Sequence, residues 1–182
     1  TGRPHAERLA HLEQYPALIA ERDDLLLEQI TLLNHLGRYD EAMALLDSHI
    51  FHPWEGGEGK VPAQYQYARV EKAKSLLAGF SIKNYELGIM TETATLESDA
   101  HSSQLTIDNA AQREHNSELT IDNSDVHNSK FIIHNSLLEQ AICLLKQCLI
   151  YPHHLGEGKL QGAQDNDFHY LLGCAYELLG DD

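Results

Sequence analysis

The apolar positions of the chain fall at helical spacing in six stretches. Leu26, Ile30, Leu33 and Leu36 recur every three or four residues behind Asp23-Asp24, whose charges suit a helix N-terminus, and Gly37 stops the run. Arg38-Tyr39 leads into a partner helix through about Ile50, with Ala42, Leu45, Leu46 and His49 inward. A loop over 51–61 carries Pro53, Trp54 and three glycines, and Pro62 suits the first turn of a helix running to about Ala78 on Val70, Ala73 and Leu77. A shorter amphipathic helix near 5–14 is ended by Pro16. Two more occupy about 137–150 and 166–179, the last capped by Asp165 or Asn166.

Part of this pattern occurs twice. YDEAMALLDSHIFHPWEGGEGK (39–60) returns as LEQAICLLKQCLIYPHHLGEGK (138–159), without a gap, at an offset of 99 residues (159 minus 60). Ala42 matches Ala141, Leu45-Leu46 matches Leu144-Leu145, Pro53 matches Pro152, and GEGK closes both copies. One helical hairpin cannot bury its own apolar face, so a repeated helix–loop–helix unit predicts stacked hairpins. The expected fold is all-α, an antiparallel helical hairpin array interrupted by an irregular insert. Its parts are 1–79, helices with the first GEGK loop, the insert 80–136, and 137–182, helices with the second loop.

The insert has a different texture. LTIDN occurs at 105–109 and 119–123, and HNS at 115–117, 127–129 and 134–136. Gln104–Asp108, Glu118–Asp122 and Lys130–His134 alternate apolar and polar residues as half-buried strands do. Two readings stay open: a disordered low-complexity expansion, or a small antiparallel meander with Asn-rich turns. Without the insert the two GEGK units stand roughly 40 residues apart, a common helical-repeat period.

Charge narrows the partners. With 13 Lys+Arg against 28 Asp+Glu the net charge is −15, a sign that repels phosphate backbones and anionic lipid. Nucleic acid and membrane are therefore excluded as expected partners. No apolar run approaches the roughly 20 residues that span a bilayer. Thr1-Gly2 and the closing Leu178-Leu179-Gly180-Asp181-Asp182 read as the edges of an excerpt from a longer chain, so nothing here assigns a compartment. Cys143, Cys148 and Cys174 lack zinc-type spacing and read as buried, reduced thiols on apolar helix faces.

Leu36-Gly37, Ala42, Leu45-Leu46 and Pro53, then Leu172-Gly173, Tyr176 and Leu179-Gly180, resemble the motif of tetratricopeptide repeats. In that motif small residues, here Ala42, Ala141 and Gly173, let helices approach closely. His169 departs from it at the usual Trp position, and the GEGK loops are longer than the family's. FHPWEGGEGKVPAQY (51–65) with YPHHLGEGKLQGAQDNDFHYLLGCAYELLG (151–180) is similar to the C-terminal repeat region of large bacterial multidomain proteins. In those proteins an uncharacterised, β-rich, sugar-related region lies ahead of the repeats. The resemblance covers roughly 10–79 and 137–180, and it brings no catalytic residue with it.

The candidate sites divide into chemistry and surface. GEGK is not a phosphate loop: six places before the lysine stand Trp54 and His153 where glycine is required, and Val61 or Leu160 follows it where Ser or Thr is required. A structural loop is expected instead, with glycines at positive φ and each lysine paired to a carboxylate. The twelve histidines show no metal-ligand spacing, so no metal and no cofactor is expected. The carboxylates Asp23-Asp24 and Glu55 with Glu58 read as helix-start and loop groups. The predicted binding surface is a concave groove carrying Asn34, Tyr65, Tyr67, Arg69 and Tyr170, with Trp54 read as a plug over the end of the helix pair behind Leu46 and Ile50. The expected role is non-catalytic: a module for a protein or peptide partner, or for a neighbouring domain of the parent chain. The alternative is an accessory module that presents Trp54 and loop carboxylates to a glycan.

Overall fold

Gly37 turns the chain from one long helix into the next. Its φ of 73° is a left-handed backbone that side chains with a Cβ avoid. Arg38 N–H reaches back to the Leu33 carbonyl at 2.9 Å and Gly37 N–H to that of Asn34 at 3.1 Å, the paired bonds of a Schellman stop. The helices joined here are α3 (Asp23–His35) and α4 (Tyr39–Ser48), preceded by the short α1 (His5–Leu12) and α2 (Pro16–Glu21). Then follow α5 (Lys60–Ala100), α6 (Asn123–Cys148), a 3-10 turn at His153–Leu155, and α7 (Asn166–Leu179). This computed structural model describes residues 2–100, 123–159 and 165–180, and among them there is no strand.

The packing is that of an all-α helical array. Helix α3 packs on α4, both pack on α5, α5 on α6 and α6 on α7, while α1 and α2 cover α3. Among the described residues two apolar cores result. The first gathers Leu9, Ile30, Leu46, Phe51, Val61 and Leu155, and the second Ala73, Ala141, Ile142, Leu145, Leu172 and Ala175. Ala42, Ala73, Ala141 and Ala175 are completely buried, which lets neighbouring helices approach closely. Gly173, expected at such a contact, is exposed instead, and Ala175 takes the inward place on α7.

Both helices flanking the insert are longer than the sequence predicts. α5 continues past Ala78 to Ala100, and α6 begins at Asn123 rather than near 137. No proline stands between Pro62 and Pro152, so nothing there forbids the helical hydrogen-bond ladder. Lys130–His134, read as a possible strand, is part of α6, because a five-residue alternation is too short to separate the two periods. Gln104–Asp108 and Glu118–Asp122 lie outside the described residues.

Candidate functional site

Of the six residues predicted for a binding surface, three are interior. Arg69 is 2% exposed and sits between three helices. Its guanidinium donates to Asp47 Oδ1 on α4 at 2.5 Å and to Gln147 Oε1 on α6 at 2.8 Å, and lies 3.5 Å from the centroid of the Tyr65 ring. Tyr65 is buried with it. Asn34 is also buried, donating through Nδ2 to Gln64 Oε1 at 2.9 Å, with its Oδ1 unpaired among the described residues. The helical period accounts for this. Val61, Tyr65, Ala68 and Arg69 share the inward stripe of α5, whereas Tyr67, two residues from Tyr65, must point away.

The partners of this layer carry no sequence signature. Gln64, Gln66, Asp47 and Gln147 are polar residues interleaved with apolar stripes, and only their neighbours across the array give them a role. Gln66 Nε2 donates to the Cys148 carbonyl at 3.0 Å and to Tyr151 Oη at 2.9 Å, tying α5 to the end of α6.

Tyr67 and Tyr170 are exposed, at 41% and 72%. The Tyr67 ring lies 6.5 Å from that of His35, itself 4.6 Å from that of His5, so aromatic side chains run across α1, α3 and α5. Tyr170, on α7, bonds to Cys174, which pushes its phenol pKa up. Among the described residues no hydrogen bond or ring contact joins Tyr170 to the other five.

Trp54 is partly buried against the first core and lies flat on Gly57, where an added Cβ would fall inside the indole. Ile50 does not lie behind it, being largely exposed. Trp54 also walls a cleft of about 460 Å³ with Glu21, Arg22, Asp23, Asp24, His52 and Pro53, in which Arg22 is paired to Asp24. Since the indole is not fully enclosed, Trp54→Ala should cost about 2–3 kcal/mol, below the usual value for a buried Trp. Thermal melting checks this; a variant that melts like the parent would show that the ring is not a plug.

Asp23 is the most heavily engaged group in that cleft. Its Oδ1 lies 2.7 Å from His49 Nε2, and its Oδ2 accepts the His52 backbone N–H at 2.7 Å. Burial raises its pKa, but the bonds from His52 and His49 outweigh burial and hold it below the ordinary carboxylate value. A lowered folded-state pKa means stabilisation that is complete above the unfolded value near 3.8 and is lost as pH falls through the folded one. Asp23→Asn should therefore cost about 1–3 kcal/mol at neutral pH. Its denaturation curve should converge with the parent's in acid; a cost independent of pH would refute the role of the charge. The two histidines face different oxygens of Asp23, and among the described residues no three metal-competent side chains converge.

The two GEGK loops meet. Phe51 N–H donates to the His154 carbonyl at 2.7 Å, Gly59 N–H donates to Glu157 Oε2 at 2.5 Å, and Leu155 is buried in the first core. Their backbones differ despite the shared sequence. Within GEGK itself, positive φ falls on Gly59 in the first copy, where α5 begins at the next residue, and on Gly156 in the second, where it ends the 3-10 turn. Lys159 pairs with Asp165, while Lys60 lies near Glu58.

Only Cys148 of the three cysteines is buried, with its thiol pushed up to about 12 by desolvation. Cys143 is exposed and Cys174 half-buried, so the expectation of three buried thiols fails at Cys143, which α6 turns outward. Alkylation at pH 8 should label Cys143 first and Cys148 only after denaturation, since the thiolate is the reactive form. Mass mapping of the labelled sites checks the order, and early labelling of Cys148 would contradict its burial.

No family model matches the chain, and no solved structure matches it.

Proposed function

We propose that this chain is a non-catalytic helical-repeat module of the tetratricopeptide type that holds a protein or peptide partner, or a neighbouring domain of a larger bacterial parent. The observation that carries the reading is a division of labour among the side chains. Asp23, His49, Arg69, Glu157 and Lys159 are committed to partners within the fold, while the aromatic groups Tyr67 and Tyr170 stand at the surface. Exposed tyrosine is a common anchor in protein interfaces, combining a large apolar area with a polar tip.

The test is retention of co-purifying partners by the full chain against the double variant Tyr67→Ala, Tyr170→Ala. The variant should keep the parent's melting temperature and lose the partners; an unchanged partner set would refute the surface. One observation favours glycan contact as a second reading: Trp54, Glu21 and Asp24 line one cleft. Oligosaccharide binding lost in Trp54→Ala, with the tyrosine variant unaffected, would select it.

A further inference from the structure

A second cleft, of about 500 Å³, lies between α1, α2 and α3. Leu12, Leu25 and the fully buried Leu32 line it, and its rim carries Tyr15 and Leu18, 49% and 45% exposed. Large apolar side chains gathered on one concave face mark an interaction surface more strongly than the same residues scattered singly. The charge of the lining is inverted relative to the chain. Carboxylates outnumber Lys+Arg by 28 to 13 overall, yet here Arg3, Arg8 and His11 face the single carboxylate Glu28, which is bridged to Arg8.

We propose that this cleft seats a partner helix whose apolar stripe is edged by carboxylates. The inference rests on the reading of the chain as a protein-binding module, and it names the chemistry of one partner segment. Leu or Ile at i and i+4 of the incoming helix fills the trough against Leu18 and Tyr15, and a flanking Glu or Asp meets Arg3, the guanidinium of the lining that Glu28 does not already hold. An open trough rimmed by exposed residues suits a helix laid along it better than a small ligand enclosed within it. The net charge of −15 repels an acidic partner at long range, whereas at physiological ionic strength screening over about 8 Å leaves the local pairs in place.

The experiment uses the whole chain at 0.15 M salt and two labelled synthetic helical peptides with the same leucine stripe, one edged by glutamate and one by lysine. Fluorescence anisotropy should show saturable binding of the glutamate peptide and at least tenfold weaker binding of the lysine peptide. Leu18→Asp should abolish binding. Arg3→Glu, a change outside any helix, should reverse the preference between the peptides without altering the melt. Binding that survives both changes but is lost in Tyr67→Ala would overturn the cleft and leave the proposed function intact. No saturation by either peptide, equal binding of both, or saturable binding of dodecanoate alone would overturn the proposal.

Discussion

Replacing Gly156 by alanine should destabilise the protein by about 2–4 kcal/mol, from a left-handed backbone costing about 1–2 kcal/mol and overpacking costing a similar amount. The φ of 76° disfavours any residue with a Cβ, and an added Cβ would stand 2.5 Å from the Phe51 carbonyl oxygen. That neighbour is main chain, so it cannot swing aside as the end of a side chain would. For a chain of this size the shift in melting temperature is roughly 10 °C. Gly158→Ala is the internal control, since a Cβ there meets nothing within 4 Å and φ is not positive. If the two variants melt together, the loops are not in contact as described.

The second large effect is expected at Arg69. Truncation to alanine removes the packing and hydrogen bonds of a buried side chain that joins α4, α5 and α6, and should cost about 3–4 kcal/mol. Asp47, half exposed, regains water when Arg69 is lost, whereas Asp47→Ala leaves a guanidinium that is 2% exposed without its counter-ion and should cost a similar amount, about 3–4 kcal/mol, the usual loss for one partner of a buried pair. Arg69→Met separates charge from packing: it keeps most of the side-chain volume, and a well-packed apolar replacement of a buried ion is often tolerated. Denaturant titration of the three variants tests this, with Arg69→Met expected to be the mildest, and a loss below about 1 kcal/mol in Asp47→Ala would show that the buried guanidinium does not depend on its counter-ion.

Helix positions and the direction of most apolar faces were legible because they depend on local period, caps and breakers. Leu26, Ile30 and Leu33, the stop at Gly37 and the start of α7 after Asp165 all follow from spacing and turn chemistry. The candidate surface was less legible. Asn34, Tyr65 and Arg69 are polar or amphipathic, and their burial depends on what stands opposite, which no local pattern records. One clue was present: Tyr65 and Tyr67, two apart on a helix, cannot share a face. The lengths of α5 and α6 were missed because a Ser-, Asn- and Thr-rich composition suggests loops, although no proline interrupts it. The duplicated loop was plain in the sequence, but mutual contact between its copies was not, since identity between two segments says nothing about their distance.

That contact has a consequence for biosynthesis. The first core needs Leu155 to close it, and 98 residues separate Gly59 from its acceptor Glu157. At about 5–20 residues per second a ribosome takes roughly 5–20 s to make that stretch. During this interval Phe51 and Val61 have left the ribosome while their cover has not yet been made. The nascent chain thus passes through a window in which its oldest helices are present but unsealed, and a chaperone or a neighbouring chain can reach them.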